Sequence, residues 1–428
     1  MTHRSRLIRV VGADDTNMRR LRALERYRDY EFRPLLTEKQ TKGRLPVPLG
    51  VLVGQAIAEL EREPPAAIVA YWDFPANALA RHLSSVMRLP GTSLESLLAC
   101  SHKMWARTIE QSVCPDNVPE FTWFDPRVDD PLCRVDWDLP FWIKPIKATG
   151  SALSFCARTP DDIVEAIATL RRDIRTFAEP FNELLALADV PDRIRRVDGY
   201  HCIAERPLAG SQCTVSGFVH DGRTTIMGVV DSLTFPGTSS FSAFVYPSRL
   251  PRSVVDRLER LTSELVEPFG LCETGFNVEY FYDKQTDSIA ILEINPRFSQ
   301  SHAELYSRVE GTSNHQLLVD LALGNEPLYR RGQGDYAVAA KYFHRVFRDG
   351  TITSVPDEAT LDRLRARYDC EIVVQVAAGD ELCHDPTEDV YCHDVAQIYL
   401  GADSYTEADR LYRTILDELS IGFEEATE

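Results

Sequence analysis

The chain has 428 residues, of which 44% are apolar and 26% charged, and its net charge is −18. That length exceeds a single core and predicts two or three domains, and the composition is that of a soluble globular protein. The acidic balance disfavours nucleic acid and anionic membrane as partners, and no run of about 18 apolar residues is present to cross a bilayer.

Residues 1–11 carry Arg4, Arg6 and Arg9 but no apolar stretch long enough for a secretory leader. Ten cysteines without a C-x-x-C pair read as reduced thiols, so a cytoplasmic location is expected. Leu7–Ala13 reads as a buried strand, residues 18–28 as an amphipathic helix, 66–71 as a second strand and Ala76–Val86 as a second helix. This alternation predicts a small α/β domain over residues 1–100. Gly12 stands alone, so no dinucleotide-binding fingerprint is present.

Phe141-Trp142-Ile143-Lys144-Pro145 reads as a strand ending in a lysine, followed by a small-residue loop at Gly150-Ser151. Such a loop suits a phosphate, which takes a point charge from Lys and N–H groups from the backbone. Residues 161–178 read as a helix opened by Asp161 and Asp162. Residues 203–210 run from an apolar strand through Glu205 into Pro207 and Gly210, as a hinge would. Residues 231–251, rich in Ser, Gly, Pro and Phe, read as a long loop. Phe235, Phe241, Phe244 and Tyr246 are candidates to line a substrate pocket there, against the plainer reading as core. Residues 252–266 form a helix with Val254, Leu258, Leu261 and Leu265 in one stripe.

Two strands are then expected, over 276–282 and 289–295. Alternation puts Glu293 and Asn295 on one face and Leu292 and Ile294 on the other. Two oxygen ligands side by side at a strand end suit a hard cation such as Mg²⁺. Glu279 lies within the other apolar strand, where an unpaired carboxylate is costly. If the strands form a hairpin, Glu279 and Glu293 can share cations; the plainer reading is two solvent-facing carboxylates. Pro296 ends the strand and Arg297 follows within reach of the metal's cargo. Ser301, His302 and Glu304 come next. His302 is a candidate to orient a carboxylate or take the proton of an amine, or else a structural histidine. Residues 324–334 look like a boundary, and 335–428 like a smaller α/β unit ending in a helix over 406–419. Cys383-His384 with Cys392-His393 is a conceivable zinc site, although the spacing matches no common pattern.

The ordered set of Lys103, Lys144-Pro145 with its loop, Glu205, Glu279 and Glu293-Ile294-Asn295-Pro296-Arg297 resembles the ATP-grasp superfamily over about residues 100–325. The run from Gly350-Thr351-Ile352 to Tyr399-Leu400-Gly401-Ala402 resembles the C-terminal domain of L-amino acid ligases, and the architecture resembles biotin carboxylase. The resemblance implies an α/β and α+β fold: a pre-ATP-grasp domain over 1–100, an ATP-grasp domain over 101–325 with a lid subdomain at about 140–205, and a C-terminal α/β domain over 335–428. It implies that Lys103 and Lys144 hold ATP phosphates, that Ser151 belongs to the lid, and that Glu205 with the backbone of Arg206 to Leu208 contacts adenine. Glu279, Glu293 and Asn295 would bind one or two Mg²⁺, with Mn²⁺ as a substitute, and Arg297 would stabilise an acyl phosphate. Two positions depart from the family. Gln212 stands where an acidic residue usually meets the ribose, and Ser151-Ala152-Leu153-Ser154 replaces Ser-x-Gly-Val, which predicts a stiffer loop.

The implied activity is an ADP-forming carboxylate–amine ligation through an acyl phosphate, with small-molecule acid and amine partners, amino acids foremost, in a homodimer. A biotin-carboxylase-like reaction, a carboxylate–thiol ligation and a non-catalytic nucleotide-binding role are the alternatives. The first lacks a Met-Lys-Met biotin acceptor in this chain.

Overall fold

Strand β1 (Leu7–Ala13) is buried along its whole length, as the middle strand of a parallel sheet must be. It lies between β2 (Glu31–Thr37) and β3 (Ala67–Ala70), both parallel to it. The computed structural model describes residues 5–42, 45, 47–383 and 392–426. The first helix, Asp15–Arg22, starts three residues earlier than its apolar pattern suggested. Asp14 caps it by accepting the Asn17 N–H at 2.9 Å. It also ends sooner, and Glu25–Tyr27 is a separate 3₁₀ turn. The second helix spans Ala76–Val86 as expected.

Strands β4 (Phe121–Phe124), β5 (Phe141–Pro145), β6 (Phe155–Ala157) and β7 (Cys202–Glu205) form an antiparallel sheet in the order β4-β7-β5-β6. The helix expected over 161–178 is two, Pro160–Asp173 and Arg175–Leu185. Ile174 joins them, donating back to Leu170 O and accepting from the Ala178 N–H.

The large sheet begins with β8 (Ser211–His220), β9 (Arg223–Thr234), β10 (Phe241–Tyr246), β11 (Thr274–Asp283) and β12 (Ser288–Asn295). β13 (Val338–Val346) joins β10. The segment at 324–334, which reads as a boundary in sequence, therefore does not interrupt the sheet. Next come β14 (Gly350–Ser354), β15 (Cys370–Val374), β16 (Glu381–Leu382), β17 (His393–Ala402) and β18 (Gly422–Glu425). The eight-stranded order is β12-β11-β8-β9-β10-β13-β17-β15, and a small sheet has the order β16-β14-β18.

The long loop expected over 231–251 is corrected to two strands joined by a short turn. β10 packs Ala243 and Val245 into one core cluster and Phe244 and Tyr246 into another. A strand buried on both faces loses the alternation that would have marked it. Helix Arg252–Val266 matches its predicted bounds, with Val254, Leu258 and Leu265 buried and Leu261 only partly so. The helix Asn314–Ala322 sends Val319 and Ala322 into the core of the N-terminal sheet, which fixes that sheet against the segment after β12.

Candidate active site

β11 and β12 pair as the predicted hairpin, with Glu279 opposite Glu293 and Asn277 opposite Asn295. One residue, Leu292, is extra. Tyr280 faces Ile291 while Glu279 faces Glu293, so the strand carries a bulge there. Strict alternation would have put Glu293 and Asn295 on the face of Ile289 and Ile291, which are core residues. The bulge turns the two polar residues to the other face and keeps Ile294 in the core. Leu292 accordingly does not share the face of Ile294 as its spacing suggested; it is half-buried and lines the cavity. Its carbonyl accepts from Arg107 Nη2 at 2.7 Å.

The cavity measures about 1430 Å³ and is lined by Lys103, Lys144, Ser151, Glu205, Arg206 and Leu208, and also by Gln212, Glu279, Glu293, Asn295, Arg297 and His302. The residues that the family resemblance implies in the site therefore lie on one cavity, together with His302. Asn295 Nδ2 is 3.2 Å from Glu279 Oε1 and 3.3 Å from Glu293 Oε1, and Gln212 Nε2 donates to Glu279 Oε2 at 2.8 Å. Burial and the facing Glu293 carboxylate push Glu279 up to about 8. The hydrogen-bond partners of this carboxylate pair are amides, with no ion pair among the described residues, and once the Asn295 amide is turned the three side chains form an all-oxygen donor set. This fits a divalent cation such as Mg²⁺.

Glu205, at the end of β7, is 3% exposed. Arg107 Nε donates to one of its oxygens at 2.6 Å and Lys144 Nζ to the other at 2.8 Å. Burial would raise this carboxyl, but the two cations hold it down at about 2. Arg107 also donates to the buried Glu110 at 2.5 Å. The Arg206 N–H is donated to Glu120 O at 3.0 Å, and its guanidinium lies 5.4 Å from the Trp137 ring centre. Gly210 closes this hinge with φ +102°. A Cβ there would meet the Tyr282 carbonyl oxygen at 2.1 Å, so no larger residue fits.

Lys103 opens the helix Lys103–Val113, and burial lowers its ammonium to about 8 against the pull of Glu293. The loop after β5 makes two tight turns, with Ala152 N–H donating to Thr149 O at 3.1 Å and Ser154 N–H to Ser151 O at 3.2 Å. Gly150, Ser151 and Leu153 adopt positive φ, and Ala152 and Leu153 are buried.

The sequence reading missed several residues. Lys147 lines the cavity two residues beyond the strand end and lies 4.0 Å from Asp73. Asp73, in the loop after β3, accepts from Arg297 Nη2 at 2.6 Å. Burial would raise the Asp73 carboxyl, but Arg297 and Lys147 hold it well below the usual carboxylate range. The Lys-x-x-Lys spacing of Lys144 and Lys147 was a usable signal; Asp73 and Arg107 had none, because each depends on a distant partner. His302 is 3% exposed, and its Nδ1 has no hydrogen-bond partner among the described residues. Burial, then Lys341 and Arg297, lower its imidazole to about 3, so it is neutral at ordinary pH. Phe241 and Phe244 line the cavity, whereas Phe235 packs on Phe347 and Tyr246 on Tyr306. Glu304 turns away to Arg20, at 3.2 Å. Of the conceivable zinc cluster, His384 lies outside the described residues, and among the described residues no three His, Cys, Asp or Glu side chains group to hold a metal.

No helix among the described residues is long and apolar enough to cross a membrane. No curated protein matches the sequence. Residues 137–304 match the ATP-grasp domain family. The structure is similar to an L-amino acid ligase from Bacillus licheniformis, with a TM-score of 0.79 at 17% identity over 99% of this chain and 100% of that one. It is also similar to carboxyaminoimidazole ribonucleotide synthase from Aspergillus clavatus complexed with ATP (TM-score 0.67, 14% identity, 97% and 98% covered). A third similarity is to biotin carboxylase from Campylobacter jejuni (TM-score 0.64, 14% identity, 98% and 92% covered). The chain has the ATP-grasp fold, and its ATP-grasp domain holds the carboxylate pair and the hinge just described.

Proposed function

We propose that this protein is an ATP-dependent, ADP-forming ligase that joins a carboxylic acid to an amine through an acyl phosphate. The observation that carries this reading is the pairing of Glu279 with Glu293 beside Asn295, in one cavity with Arg297 and with Lys103, Lys144 and Lys147. The similarity in fold to the L-amino acid ligase supports it.

In this reading Lys103, Lys144 and Lys147 hold the phosphates of ATP. Adenine rests at the hinge on Leu208 and the Arg206 carbonyl, since the Arg206 N–H is already donated to Glu120. Glu279, Glu293 and Asn295 would hold Mg²⁺, which would offset charge on the transferring phosphoryl group. A substrate carboxylate oxygen attacks the γ-phosphorus, the bond to the bridging oxygen breaks, and ADP leaves. Arg297, fixed by Asp73, faces the acyl phosphate and stabilises the oxyanion formed when the amine attacks its carbonyl carbon. Phosphate then leaves and the amine's proton is lost. The turns after β5 keep water from the acyl phosphate. His302, neutral and buried, orients substrate; so low a basicity makes it a poor proton acceptor. Gln212 positions Glu279, to which it donates, in place of an acidic ribose contact.

The test is phosphate release from ATP and Mg²⁺ with pairs of acids and amines, amino acids first, with product masses measured. The expected result is release that needs both partners and a product weighing their sum less water. Release with bicarbonate and no amine would favour a biotin-carboxylase-like reaction, and no release with any pair would end the ligase reading.

A further inference from the structure

Past Arg297 the cavity extends to residues of β13 and β17. Lys341 on β13 is 4% exposed, yet it lines the cavity. Its Nζ donates to Ser301 Oγ at 3.0 Å and lies 4.4 Å from the ring centre of Phe343 and 5.1 Å from that of Tyr399. His302 lies at the same end, its ring edge against Phe244 at 5.1 Å and its buried Nδ1 without a hydrogen-bond partner among the described residues. Arg345 and Asp394 also reach this end, and Gln397 donates to Asp394 at 2.6 Å.

Lys341 has no carboxylate within ion-pair distance among the described residues, and its hydrogen bond goes to the Ser301 hydroxyl. Arg297, the next cation along the cavity, is paired separately with Asp73. A buried ammonium among aromatic rings, bonded to a hydroxyl, is costly unless an anion joins it. Burial lowers the Lys341 ammonium to about 7, with Asp394 opposing and Arg345 adding to the shift. Neutral His302 can donate from Nδ1 in the tautomer that carries its proton there.

We infer that Lys341 and His302 form a subsite for a substrate carboxylate other than the one that is activated. The inference rests on the ligase reading and narrows its substrates. Either the incoming amine is an amino acid, whose free carboxylate meets Lys341, or the activated acid is a dicarboxylic acid. Both sources present one chemistry, a carboxylate that meets an ammonium beside aromatic rings.

The test begins with binding, which needs no turnover. Protein saturated with ADP and Mg²⁺ is titrated calorimetrically with a panel of amino acids and their amides, and with glutarate and succinate against butyrate. At least one anionic probe is expected to bind about tenfold or more tighter than its neutral counterpart, the range of a charge-assisted hydrogen bond. Preference for amino acids over their amides identifies the amine as the source; preference for glutarate or succinate over butyrate identifies the acid. Lys341→Met, close in length and apolar, should erase the preference and leave ADP affinity unchanged, while Lys341→Arg should restore part of it. Equal affinities in wild type and Lys341→Met, or no binding of any anionic probe, would overturn the inference. If acids and amines are turned over but Lys341→Met leaves every KM unchanged, the subsite falls and the ligase reading stands. If anionic probes bind through Lys341 but no pair releases phosphate, the subsite stands and the ligase reading falls.

Discussion

Two regions of the cavity treat buried charge in opposite ways. At the hinge, Glu205 lies between Arg107 and Lys144, with each of its oxygens bonded and its charge balanced within the chain. On the β11–β12 hairpin, two carboxylates face each other with only amides between them, and one of them is pushed up to about 8. The hinge carboxylate is paired within the chain without any ligand. The hairpin carboxylates have no ion pair among the described residues, and in the proposed reading a cation from outside completes them. Buried charge that is balanced marks structure, and buried charge that is left unbalanced marks where a ligand completes the protein.

Removing one charge from each region should break this contrast or sharpen it. Glu293→Gln has the largest expected effect: phosphate release with the best substrate pair falls about a thousandfold, since cation placement and phosphoryl charge stabilisation go together. Its thermal midpoint should not drop, because a like charge opposite Glu279 is gone. Undiminished release, or a clearly lower midpoint, would erase the contrast.

Glu205→Gln should do the reverse at the level of stability. It strips Lys144 of its carboxylate and leaves Arg107 with Glu110 as its carboxylate partner, so urea unfolding should show a loss of about 3–5 kcal/mol. A loss under about 1 kcal/mol would mean the hinge pair is no more structural than an exposed one.

The smallest effect separates the regions by pH. Glu205 is held at about 2, below its unfolded value, so its contribution is present at neutral pH and is lost as pH falls toward 2. Glu279 is raised to about 8, so its contribution is complete at acid pH and is lost as pH rises through 8. Without ligand, the hairpin should therefore lower the thermal midpoint by a few degrees between pH 6 and pH 9. Mg²⁺ should raise the midpoint more at pH 9 than at pH 6, because it binds the carboxylates without their shared proton. An equal Mg²⁺ effect at both values would remove the cation site from the hairpin.

Much of this site was legible in the sequence because its residues act locally. Glu293 and Asn295 are two apart on one strand, Lys144 ends a strand before a small-residue loop, and Glu279 is a carboxylate inside an apolar run. Local spacing also gave the helices Ala76–Val86 and Arg252–Val266, whose apolar stripes follow helical periodicity. The bulge at Leu292 was not legible, because one inserted residue shows itself only against the register of the partner strand. β10 was hidden because both of its faces are buried. Arg107, Asp73 and Lys341 were hidden for a related reason: each is an ordinary charged residue in its own neighbourhood and becomes part of the site through partners far away in the chain. The sequence by itself offered Glu279, Glu293 and Asn295 as cation candidates and Lys144 as a phosphate candidate, since that chemistry shows in short spacing. The tertiary structure alone decided which of those charges are balanced, because balance depends on burial and on neighbours that only folding brings together.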